Sequence, residues 1–129
     1  MYSLLPILRF DFVLKESREA TRSMFSDKPP DAVFVANDHM ALAVMDTLRY
    51  ELGIKIPDDV SVVGYDDVPA ASWPSYSLTT VQQPVNIMVR ETVEILIEKI
   101  DNANARPQKI KIDGPLILRN SAKIQKGYI

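Results

Sequence analysis

Two short polar groups hold most of the chemical potential of this sequence: Asn37-Asp38, directly after the apolar run AVFVA (32–36), and Asp66-Asp67, directly after VSVVGY (60–65). Each stands where a β-branched run ends. In open parallel sheets, ligands bind in the crevice beyond the carboxyl ends of the strands. An amide and several carboxylates converging on one such rim would accept hydrogen bonds from a ligand's hydroxyl or ring N–H groups. A sugar or a nucleobase suits that set, whereas a phosphate meets like charge. Plainer roles exist for the same residues, since Asn and Asp cap helices and populate turns.

Catalysis is a poor fit. Paired carboxylates do acid–base work when held across a substrate from each other, but neighbours on an extended segment point opposite ways. His39 is the single histidine and falls one residue inside a helix, which reads as a surface position. A serine nucleophile would therefore lack a base. Cysteine is absent, so thiolate chemistry and thiolate metal sites are excluded. The four glycines, at 53, 64, 114 and 127, form no phosphate-cradling loop. Phe12 and Trp73 are possible stacking platforms, although single aromatics more often pack. These residues imply a binding rim, with no catalytic residue, metal or cofactor.

The elements that must position this rim follow from periodicity. Residues 17–25 have helical spacing, with Ala20, Met24 and Phe25 apolar, and Asp27-Lys28-Pro29-Pro30 stops them. Residues 32–36 read as a strand buried on both faces. Asn37 and Asp38 are caps for a helix whose face is Ala41, Val44, Met45, Leu48 and Leu52, closed by Gly53. Residues 60–63 form a second buried strand, with Gly64-Tyr65-Asp66-Asp67 as a turn. Strand, helix and strand joined by short loops make a parallel βαβ unit, hence an α/β fold. Residues 68–77 are loop, 78–84 extended, and Val85 to Ile100 a strongly amphipathic helix. KIKIDGPLIL (109–118) reads as one or two strands around Asp113-Gly114.

The 129 residues, 47% hydrophobic and 25% charged, suit one globular core. No stretch approaches the ~20 apolar residues of a membrane helix. The start MYSLLPILRF has no basic leader, so a signal peptide is not expected and a cytoplasmic setting is. A net charge of −2 without a basic cluster gives no footprint for a nucleic-acid backbone.

Three blocks, FVANDHMALAVM (34–45), GIKIPDDVSVVGYDDVP (53–69) and LTTVQQP (78–84), occur in order with close spacing. Together they resemble the sensor domain of the LacI/GalR family of transcriptional repressors, from about Asp11 to Ser121. The resemblance implies a type I periplasmic-binding-protein-like α/β fold and covers only the later part of a family member. It assigns residues 1–83 to the C-terminal subdomain, 84–106 to a crossover helix packed on an N-terminal subdomain, and 107–121 to return strands, with no DNA-binding domain. It places Asn37, Asp66 and Gln83 at an effector cleft, with Phe12 stacking on the sugar or base. Arg18 departs from the family pattern, which usually shows a glycine and tyrosine there.

The resemblance further implies a homodimer in which Leu42, Trp73 and Pro74 lie at the interface, and DNA contact only through an N-terminal headpiece. The alternative within the superfamily is a periplasmic sugar-binding transport protein. A last expectation is physical. The apolar stripe of helix 85–100 is worth ~10 kcal/mol when buried, so it should pack back on the subdomain or exchange with a second chain.

Overall fold

The computed structural model describes residues 14–124. Its centre is a four-stranded sheet in the order β1 (Ala32–Phe34), β2 (Ser61–Asp66), β3 (Thr79–Gln82), β4 (Leu116–Ile117). The first three strands are parallel and β4 is antiparallel to β3. Helix α2 (Asp38–Asp46) is the crossover from β1 to β2 and packs on β2. Helix α1 (Leu14–Met24) packs in turn on α2. The second parallel crossover, residues 67–78, contains only a single 3₁₀ turn, Pro69–Ser72. The expected α/β architecture is therefore present.

The core lies between β2 and α2. Ala41, Val44, Met45 and Leu48 are buried from the helical side, against Val35, Val60, Val62, Ala71 and Leu78. The expected face is met at four of its five positions, but Leu52 is exposed. The cause is a change of pitch. Residues Thr47–Glu51 form a π-helical turn, and the extra residue per turn rotates Leu52 off the stripe. Gly53 then takes φ +67°, a conformation that costs glycine nothing, and Ile54 N–H closes on Leu48 O at 2.8 Å. Thr21 and Ser17 are the buried residues of α1, with Thr21 Oγ1 donating to Ser17 O at 2.7 Å. These small side chains, rather than the half-buried Ala20, Met24 and Phe25, set how closely α1 approaches its neighbour.

Four expectations need correction. The first strand stops at Phe34, and it is not buried on both faces: Phe34 is 64% exposed. In register, Phe34 aligns with Val63, and Tyr65 with Val81 and Leu116. Phe34, Tyr65 and Leu116 are all exposed, so α2 covers one face of the sheet and no described helix covers the other. The second strand runs past Gly64 to Asp66 instead of turning there, because β3 continues to offer it partners up to Gln82. In 109–118 only Leu116–Ile117 is strand.

The fourth correction concerns α3 (Val85–Asp101). It forms as expected, but none of its residues is buried; of the two expected outcomes, packing back on the subdomain does not occur, and exchange with a second chain concerns a partner.

One half-buried hydroxyl supplies a pH-dependent test of the core edge. The Tyr76 phenol donates to Asp46 Oδ2 at 3.2 Å; burial foremost, and then the Asp46 carboxylate, push it above the usual tyrosine range. A raised pKa on an acid means that the folded state holds the proton more tightly. That stabilisation is complete below the unfolded value near ~10 and is lost as pH rises through the folded value. The stability gap between the native chain and Tyr76→Phe should accordingly narrow above that pH in urea titrations. A gap that stays constant would remove the Asp46 contact from the energetics.

Candidate functional site

The rim is built by register. Asn37 and Asp66 each lie three residues beyond the last β1–β2 pair, Phe34–Val63, and Asp66 is itself paired with Gln82 on β3. The carboxyl ends of three parallel strands therefore present Asn37, Asp66 and Gln83 at one level, as the strand-end argument requires. Phe12 lies outside the described residues.

Asn37 caps α2 from an extended conformation (φ −152°, ψ 161°), its Oδ1 accepting from Met40 N at 2.8 Å. The capping role is real, yet it uses only the oxygen. The Asn37 amide NH₂ has no partner among the described residues and remains a donor at the rim. His39 is exposed, as expected.

Asp38 has a different role from its neighbour. It is fully buried (0% exposed). Oδ1 accepts from Thr80 Oγ1 at 2.7 Å and Oδ2 from Val68 N at 3.0 Å. One carboxylate thus ties α2 to β3 and to the loop after β2, and it points into the molecule rather than toward a ligand. Gly64 makes that possible: a Cβ there would lie 2.2 Å from Asp38 Oδ1 and 2.9 Å from Leu78 Cδ2.

Asp66 and Asp67 hold crossed partners. Asp66 Oδ1 accepts from Gln83 Nε2, while Asp67 Oδ2 accepts from Gln82 Nε2 at 2.7 Å. Both aspartates have positive φ, 123° and 57°, a conformation that side-chain-bearing residues adopt only at a cost. Strain of about 1–3 kcal/mol per residue survives where surrounding contacts over-determine it, and it concentrates at functional sites. Here it orients Asp66, the last residue of the ladder, so that its carboxylate stands at the rim beside Gln83.

Sequence reasoning missed two members of this arrangement. Arg119 Nη2 pairs with Asp67 Oδ1 at 2.7 Å, both side chains being mostly buried, and Nη1 donates to Leu78 O at 2.8 Å. Gln82 holds the other oxygen of Asp67. Arg119 is 52 residues from Asp67 in sequence, and no local pattern marks it. Gln82 sat inside the recognisable LTTVQQP block, but its chemistry depends on the crossed geometry. Among the described residues no acidic or histidine cluster suits a metal ion, and no helix is long and apolar enough to cross a membrane.

The residues assigned to a dimer interface differ in exposure. Trp73 is 55% exposed and Pro74 is exposed. Leu42 is only half-buried and packs against the core cluster, so part of its surface is already used.

Comparison with known proteins places this geometry in context. A family model described as a periplasmic binding protein-like domain matches residues 8–122. The chain is 34% identical to an HTH-type transcriptional repressor PurR of Photobacterium profundum, over 91% of its own length and 35% of that protein. It superposes on a transcriptional regulator CelR–cellobiose complex with a TM-score of 0.79 at 35% identity, covering 87% of this chain and 34% of that one. A LacI family transcriptional regulator from Lactobacillus casei with bound sucrose gives a TM-score of 0.70 at 34% identity, covering 84% and 40% respectively. The chain spans about a third of the length of the curated relatives it matches.

Proposed function

Because this chain belongs to the periplasmic-binding-protein-like domain family, as part of the sensor domain of LacI/GalR-type regulators, we propose that it forms one wall of an effector site for a hydroxyl-rich small molecule, most simply a sugar. The observation that carries this reading is Asp66. A strained residue keeps a carboxylate at the carboxyl edge of the sheet, level with the free amide of Asn37 and held by Gln83. The rim thus combines an acceptor, a donor and an amide that does both, which matches vicinal hydroxyls. The saccharides bound to two of the similar structures favour a sugar over a nucleobase.

In this reading Phe12 adds a stacking aromatic to this chain's own wall, and an N-terminal subdomain supplies the second wall of the cleft. The parent acts in the cytoplasm as a homodimer that uses Leu42, Trp73 and Pro74, and it contacts DNA through an N-terminal headpiece. Residues 1–83 are the C-terminal subdomain, 84–106 the crossover helix and 107–121 the return strands. Packing of α3 on an N-terminal subdomain accounts for its uncovered apolar stripe. Effector binding shifts the balance between two cleft geometries, and no bond is made or broken in the ligand.

The test is a thermal-shift screen of mono- and disaccharides and purine bases against the native chain and two variants. A ligand present at 100 times its Kd raises stability by about 2.7 kcal/mol. Asp66→Asn keeps the shape and should lose most of the shift produced by any hit. Asp66→Gly should lose it as well while melting no earlier than the native chain: glycine relieves about 1–3 kcal/mol of backbone strain against a lost hydrogen bond of about 1 kcal/mol. A hit whose shift is unchanged by both substitutions, or no hit in any class, would count against the proposal.

A further inference from the structure

We infer that Arg119 is a positioning residue for the effector rim, acting through Asp67 to hold the carboxylate of Asp66 in place. This rests on the reading that Asp66 meets a ligand, and it adds the device that keeps it there.

The two aspartates are adjacent residues with positive φ, so neither can relax without turning the peptide it shares with the other. Their crossed amide partners, Gln83 and Gln82, are adjacent too, at the end of β3. These four side chains are all on the rim itself. Neutral amides at the edge of a sheet do not over-determine a costly backbone conformation. The charged tie comes from elsewhere. Arg119 reaches Asp67 Oδ1 with one nitrogen and Leu78 O with another, at 2.7 and 2.8 Å. Two contacts from one planar guanidinium fix its direction as well as its distance.

The base of this strut is anchored independently. Arg119 N donates to Thr79 Oγ1 at 2.9 Å, and Thr79 Oγ1 donates to Arg119 O at 3.1 Å. Ser121, 1% exposed, donates from Oγ to Val62 O at 2.6 Å and accepts from Thr79 N at 2.8 Å, while Val62 N donates to Ser121 O. Residues 119–121 are therefore stitched to both β2 and β3 near the amino ends of those strands. From that fixed point the guanidinium holds Asp67, and Asp67 fixes the Asp66–Asp67 peptide. Asp67, whose carboxylate is occupied on both oxygens, serves the site without meeting a ligand.

The test reads the rim without any effector, using side-chain amide and carboxyl resonances of the isotopically labelled chain. In Arg119→Gln, the Gln83 amide and the Asp66 carboxyl carbon should both move, although neither touches Arg119. Exchange of the Gln83 amide protons with water should quicken roughly fivefold, as for loss of one hydrogen bond. Backbone amides of Met45 and Leu48 should stay in place, and Arg119→Lys should restore part of the Gln83 shift by keeping the charge. Changes confined to Asp67 and Gln82 would overturn the inference and leave Arg119 a mere staple of the inner pair. Should Arg119→Gln fail to fold, Asp67→Asn gives the same reading. It discards the ion pair but keeps an oxygen for Gln82 and every anchor of residues 119–121, and Gln83 must again move or the inference falls. Because no ligand enters these measurements, a failed saccharide screen and a failed positioning role are separate results.

Discussion

Replacing Gly64 by alanine is expected to destabilise the fold by about 3–5 kcal/mol, a large share of the ~5–15 kcal/mol that holds a domain together. The reason is local and geometric. The new methyl would lie 2.2 Å from Asp38 Oδ1 and 2.9 Å from Leu78 Cδ2, and the carboxylate cannot retreat because it holds Thr80 and the Val68 N–H. Either β2 shifts away from α2, opening the core at Val62 and Met45, or Asp38 abandons its partners. Urea denaturation of the native and Gly64→Ala chains reads this directly. A loss below about 1 kcal/mol, the typical cost of an average substitution, would mean that the carboxylate moves aside freely.

Asp38→Ala comes next, at about 3–5 kcal/mol, the combined cost of leaving two neutral groups without their acceptor. It strands a buried hydroxyl on Thr80 and a backbone N–H on Val68, which between them cost about 1–3 kcal/mol each when unmade. The acidic group in the first turn of α2 is lost as well. Asp38→Asn should fall between, since one oxygen can still accept from Val68 while the NH₂ group faces the Thr80 hydroxyl. The two sites are also coupled. With the carboxylate gone, the Gly64→Ala methyl has room on that side, so the double variant should be clearly more stable than the sum of the single losses. Strict additivity would contradict the contact.

This pairing shows why adjacent residues of one motif took opposite roles. Asn37 and Asp38 are equally good caps and equally polar, and the sequence offers no reason to send one to the rim and the other inward. The direction is set by α2. Asn37 precedes the helix in extended geometry, whereas Asp38 is its first residue and faces β2, where Gly64 leaves the space. Asp66 and Asp67 divide in the same way: one carries the rim and the other accepts an arginine from the far end of the chain.

The elements themselves were largely legible. Periodicity located the helix after Asn37, the strand before it and the long amphipathic helix, because each pattern reflects the local repeat of its own backbone. It erred where tertiary contact overrides local preference. Gly64-Tyr65-Asp66-Asp67 has the composition of a turn, yet β3 supplies ladder partners that keep it extended to Asp66. The π-turn at 47–51 rotates Leu52 outward, and a fixed period of 3.6 cannot register that.

The sequence by itself determined the α/β class, the parallel unit and the level at which polar groups meet, since these follow from local periodicity and from the polar residues, Asn37 and Asp66, placed at or just beyond the strand ends. The tertiary structure decided the rest: Asp38 turned inward, Asp66 and Asp67 crossed with Gln83 and Gln82, Arg119 recruited across 52 residues, and α3 left without cover. Those outcomes depend on which groups meet after the chain has closed on itself, and hydrogen bonds between distant residues leave no spacing to read beforehand.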